Sequence, residues 1–145
     1  MKFWDSSALL PLLVEEGRSA ACRHVLRRDR SIAVWALTSA QLTSALHRQH
    51  REGALTAEGL EEALARLDSA AAKWTEVEAL VTVRERAVRL LAVHPLTSAD
   101  GLQLAAALVL AGERPRGRGF VCADVRLAAA ARAEGFSVIA PPSGR

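Results

Sequence analysis

Met1-Lys2-Phe3-Trp4-Asp5-Ser6-Ser7-Ala8-Leu9-Leu10 opens the chain with a short apolar run, an acid, two hydroxyl residues and the start of an apolar helix. Phe3 and Trp4 suit a pleated, buried strand. Ser6 or Ser7 can cap the orphan N–H groups of the next turn, and Ala8, Leu9, Leu12 and Leu13 supply a helical apolar face. The stretch predicts strand, acid, helix, with Asp5 at the strand's carboxyl end. In open α/β sheets ligands bind at that edge, because strand ends and helix N-termini form a crevice there.

The same arrangement returns late in the chain, where Phe120-Val121-Cys122-Ala123 runs into Asp124 and then into Val125-Arg126-Leu127-Ala128-Ala129-Ala130-Ala131. If both strands lie in one parallel sheet, both carboxylates emerge at the same edge. A third acid, Asp100, falls in the first turn of a helix started by Thr97 or Ser98. Over Ser98 to Leu108 apolar residues lie nearly all round, as expected for a helix buried in the domain.

Between these landmarks the pattern predicts a basic-faced helix over Arg18 to Arg28, with Ala21, Cys22, Val25 and Leu26 as its stripe. A strand follows at Ile32 to Ala36, then a helix from Thr38 or Ser39 to about Glu52. Thr56 opens a further helix, expected to pair antiparallel with the one before it. Trp74 to Val77 reads as a brief strand. Val83, Ala87, Leu90 and Leu91 mark a helix that stops before Pro95. Gly and Pro make residues 112–119 a loop carrying Arg114, Arg116 and Arg118, and Ser137 to Ile139 is the last strand. No repeat or linker divides residues 1–145, so one α/β domain with a parallel sheet is expected.

Composition narrows the class. Half of the 145 residues are hydrophobic, enough for a core without staples. Cys22 and Cys122 match no metal spacing and read as buried thiols of a reducing cytosol. Asp5 interrupts any leader-like start, and the most apolar stretch, Leu102 to Ala111, is too short to span a bilayer, so a cytoplasmic protein with no membrane role is expected. The net charge is +3, the pI is near 9.5, and the basic residues are nearly all Arg. Guanidinium suits bidentate phosphate contacts, so the balance leans toward a nucleic-acid partner.

Each acid has a structural alternative: Asp5 and Asp124 as N-caps, Asp100 as a first-turn acid. Their convergence argues for more, since clustered carboxylates repel unless a cation joins them, and all-oxygen ligands suit Mg²⁺ or Mn²⁺.

The chain also resembles the PIN-domain nucleases, most closely the VapC-type ribonuclease toxins of toxin–antitoxin pairs. The matching pieces are residues 3–10, residues 98–105, and Ala123-Asp124-Val125-Arg126-Leu127-Ala128 with Glu134-Gly135-Phe136. The resemblance implies a three-layer α/β/α fold and a divalent-metal site at Asp5, Asp100 and Asp124. It also implies cleavage of RNA, a homodimer and a cognate antitoxin. Ser7 is a supporting residue that positions the metal's water. One position departs from the pattern. In Gln41-Leu42-Thr43-Ser44-Ala45-Leu46-His47-Arg48, Gln41 stands where the family carries an acid, usually Glu. An amide oxygen accepts or ligates without bringing charge, so the departure bears on activity and leaves the fold alone. A catalytically silent PIN-fold module that binds RNA or an antitoxin is the alternative.

Arg48 and Arg51 are the RNA-contact candidates, while His47 and His50 read as a solvated helix end, because metal-assisted hydrolysis needs no histidine base. Trp4, Trp35 and Trp74 could stack on bases, but two of them lie in strand-like runs and read as core, and none is given an RNA role. An antitoxin is expected on the helices around Leu12, Leu13, Leu42 and Leu46. The arginines of residues 112–119 are expected at the sheet end away from the acids.

Overall fold

The computed structural model describes residues 1–144. Its strands are β1 (Lys2–Trp4), β2 (Ile32–Trp35), β3 (Thr75–Val77), β4 (Gly119–Val121) and β5 (Ser137–Ile139). They form one sheet in the order β3-β2-β1-β4-β5, and every pairing is parallel. Seven helices cover it: α1 (Ser6–Leu13), α2 (Ser19–Arg28), α3 (Thr38–Arg51), α4 (Ala57–Ala71), α5 (Leu80–Val93), α6 (Ser98–Leu110) and α7 (Val125–Glu134).

Strand periodicity decides which helices lie on which face, because successive side chains point to opposite sides. Trp4, Ile32, Val34 and Val121 pack with apolar residues of α1 to α4. Phe3, Ala33, Trp35, Val77 and Phe120 pack with those of α5 to α7. The expected three layers follow, with a core on each face of the sheet. Phe3 and Phe120 stack across β1 and β4 with ring centroids 5.5 Å apart, a favourable cross-strand contact. Trp4 and Trp35 are buried, as expected, and Trp74 is half-buried.

The chain builds outward from β1 to β2 and β3 on one side, then crosses by α5 and α6 to β4 and β5 on the other. Strand order therefore reverses between β1 and β4, and at that point the carboxyl ends leave a crevice. Gly135 ends α7 with φ +110°, a left-handed cap that a side chain would strain, and its N–H bonds back to the helix carbonyls.

Several boundaries move. The strand expected over Phe120 to Ala123 stops at Val121, the one expected to reach Ala36 stops at Trp35, and α5 starts at Leu80. The antitoxin surface expected around Leu12, Leu13, Leu42 and Leu46 needs correction. Leu13, Leu42 and Leu46 are buried in the domain's own core and Leu12 is half-buried. That apolar stripe is already covered by the sheet and neighbouring helices.

Candidate active site

Asp5, rather than Ser6 or Ser7, caps α1. Its extended backbone leaves β1 and its Oδ2 accepts from the Ser7 N–H at 3.1 Å. The Ser7 hydroxyl donates to the same oxygen at 2.5 Å and accepts from the Ala123 N–H at 2.9 Å. The Asp5 N–H donates to the Val121 carbonyl at 2.9 Å. Ser7 thus ties the end of β1 to the segment that follows β4. Asp5 is only 3% exposed, and its Oδ1 is buried with no hydrogen-bond partner.

Asp124 caps α7, its Oδ1 accepting from the Leu127 N–H at 2.9 Å. Asp100 lies in the first turn of α6, positioned by Thr97, whose hydroxyl oxygen accepts from the Asp100 N–H at 3.2 Å. Thr97 is therefore the cap, and Ser98 is the first helical residue. The structural roles weighed from sequence for Asp5 and Asp124 are real. They do not exclude a second one, because each cap engages only one carboxylate oxygen.

All three acids line one cleft of about 770 Å³, together with Ser7, Gln41 and Arg48. Of the two RNA-contact candidates Arg48 lines the cleft, while Arg51, in the last turn of α3, is not among its lining residues. His50 serves the turn after α3, its Nδ1 lying 2.9 Å from the Leu55 carbonyl, and His47 is exposed. Arg114, Arg116 and Arg118 precede β4 and so lie at the amino edge of the parallel sheet, opposite the acids, as expected.

The electrostatics fit the crowding. Burial pushes the Asp5 carboxyl up, against the hydrogen bonds from Ser7 and Ser6 that favour its charged form, and the Asp124 charge adds to the rise. Burial, then the charges of Asp5 and Asp124, push Asp100 up to about 6. Among the described residues no three His, Cys, Asp or Glu side chains are already gathered tightly enough to hold an ion. The acids form the cleft's walls. The donor set still fits a hard divalent cation: it is all oxygen, it carries three carboxylates, and the buried Asp5 Oδ1 has no protein donor.

The sequence reading missed a buried amide relay. Gln103, 1% exposed on α6, donates from Nε2 to Gln41 Oε1 at 2.6 Å and to Thr38 Oγ1 at 3.3 Å. Thr38 caps nothing at the start of α3. The available signal was Gln103 itself, a lone amide in a run expected to be buried, which requires partners. Cys122 also lies at the site, its Sγ 3.8 Å from Asp5 Oδ2. Burial pushes its thiol up to about 12, so it stays protonated and inert.

No family model and no curated protein matches the chain. Solved structures do. A toxin–antitoxin complex from Klebsiella pneumoniae superposes with a TM-score of 0.70 at 15% identity over 99% of both chains. PAE2754 from Pyrobaculum aerophilum gives 0.60 at 22% identity over 96% of this chain and 87% of that one. FitAB bound to an IR36 DNA fragment gives 0.63 at 14% identity over 97% and 95%. At these identities the likeness establishes a shared α/β fold. No helix among the described residues is long and apolar enough to cross a membrane.

Proposed function

We propose that the protein is a metal-dependent endoribonuclease of the PIN-domain, VapC-like toxin class, held in check by a cognate antitoxin and working as a homodimer in the cytoplasm. The observation that carries this reading is the single cleft lined by Asp5, Asp100 and Asp124, with a buried Asp5 oxygen that no protein group satisfies. The toxin–antitoxin complex among its structural neighbours supports the partner class.

Asp5, Asp100 and Asp124 would hold one or two Mg²⁺ or Mn²⁺ ions. When bound, such ions lower the pKa of water and polarise a phosphoryl oxygen. The chain's own residues do the rest. Ser7 fixes the Asp5 rotamer and the β1–β4 junction on which the acids sit. Arg48, in the cleft wall, receives a backbone phosphate of the RNA with planar donors. Gln103 orients Gln41 at the cleft margin.

A second reading rests on Gln41: a PIN-fold module that binds RNA or an antitoxin without turnover, because one acid of the family's set is an amide here. Cleavage of single-stranded RNA with Mn²⁺ or Mg²⁺ against an EDTA control separates the two. Metal-dependent cutting by the protein or by its Gln41→Glu variant supports the nuclease. Binding without cutting by both supports the silent module.

A further inference from the structure

The amino edge of the sheet, away from the acids, holds a second recess of about 420 Å³. Its floor is apolar, formed by Leu26 of α2, Ile32 at the start of β2 and the half-buried ring of Trp74 just before β3. Its rim carries Arg23, Arg27, Arg30 and Lys73, all exposed. Arg23 is engaged by Glu15 through two hydrogen bonds of 2.9 and 3.2 Å. Arg27, Arg30 and Lys73 have no acidic partner among the described residues.

Three unpaired cations around one concavity repel each other and gain from an anion between them. The indole beside them adds a stacking surface that accepts any base, while guanidinium groups match phosphate oxygens in pairs. The volume falls within the roughly 300–1,000 Å³ of small-ligand sites, which suits one nucleotide better than the extended groove a peptide strand or helix occupies.

We propose that this recess is a second RNA contact that holds one unpaired nucleotide, its base on Trp74 and its flanking phosphates on Arg27, Arg30 and Lys73. The choice of RNA rests on the ribonuclease reading above; the recess itself uses none of the cleft residues. Because β2 spans four residues, or roughly 13 Å, RNA held here is gripped well away from the acids.

Trp4 and Trp35 are 0% and 1% exposed, so quenching of tryptophan fluorescence by an oligonucleotide reports on Trp74. The test titrates the full chain with hexauridylate in EDTA, where binding is read without metal-dependent turnover. Quenching that saturates is expected. A variant carrying Arg27→Gln, Arg30→Gln and Lys73→Gln should bind at least about tenfold more weakly, with a log–log salt slope smaller by about 2 for three lost phosphate contacts. The same charge reduction at Arg84, Arg89 and Arg132, exposed on the other helical layer, should leave both unchanged. Undiminished binding by the recess variant, absence of quenching, or equal competition by hexaglutamate overturns the proposal, the last by making the site a peptide site. Intact quenching in a protein that cuts no RNA supports the recess and counts against the nuclease reading alone.

Discussion

Gln41 and Gln103 are joined by a 2.6 Å hydrogen bond that crosses from α3 on one face of the sheet to α6 on the other. The donor is Gln103, so a carboxylate at position 41 would keep the same bond and strengthen it by charge. A unit charge about 4 Å from a cation is worth roughly 4 kcal/mol at an effective dielectric near 20, before solvent and counter-ions reduce it. Gln41→Glu should therefore tighten Mg²⁺ or Mn²⁺ binding at least about tenfold. In EDTA the variant should melt lower, since it adds a like charge to the cleft. Calorimetric titration of the two proteins checks this, and equal metal affinity would place residue 41 outside the metal site.

The Asp100 carboxyl should make the metal-free protein less stable as pH rises. Its folded pKa of about 6 lies above the ordinary value of 3.8. The folded state therefore binds more protons between those values, and stability falls as pH climbs from about 4 to 6. The loss is complete above that window. Discounted for its partial exposure, it is on the order of 1 kcal/mol. Asp100→Asn should raise the melting temperature by about 2–5 °C at pH 7.5 in EDTA and leave it nearly unchanged at pH 4. A pH-independent gain would assign the effect to something other than ionisation.

Ser7→Ala should destabilise the fold as well as the site. It leaves the half-buried Ala123 N–H without its acceptor and removes a donor from the buried Asp5, at a cost of about 1–3 kcal/mol. Ser6→Ala, which removes a hydroxyl that takes no part in those bonds, should cost well under 1 kcal/mol. Denaturant midpoints of the two variants give the comparison, and equal midpoints would remove Ser7 from its junction role.

Arg48→Ala should lower RNA cleavage by roughly 10- to 100-fold, the worth of one charged hydrogen bond of about 1.5–3 kcal/mol. Arg51→Ala, and the combined Arg114→Ala, Arg116→Ala and Arg118→Ala protein, should each cost less. Initial rates on one single-stranded RNA rank the three. A larger loss from the residue 114–118 set would mean that RNA reaches the cleft across the amino edge.

The sheet was legible because Phe3 and Trp4, Ile32 to Trp35 and Phe120 to Val121 are short apolar runs, each followed by residues that start helices. The three acids stood out for the same reason. The cap of α1 stayed open among Asp5, Ser6 and Ser7 because aspartate and serine both accept from an N–H, and only the backbone geometry selects Asp5. Leu13, Leu42 and Leu46 misled because helical periodicity shows that a stripe is buried without showing what buries it. The bonds among Thr38, Gln41 and Gln103 join positions more than sixty residues apart, and no local pattern encodes that distance.

The cleft draws its walls from two halves of the chain that each cover one face of the sheet. Residues before Glu78 supply Asp5, Gln41 and Arg48 with α1 to α4, and residues after it supply Asp100 and Asp124 with α5 to α7. A break between Glu78 and Ala79 would yield two fragments, neither holding a complete set of acids. Each would also expose an apolar sheet or helix face that the other covers. The chain is thus laid out as a split reporter: on the metal-site reading proposed above, metal binding that appears only on mixing the fragments would register their reassembly, because the cleft exists only where the halves meet.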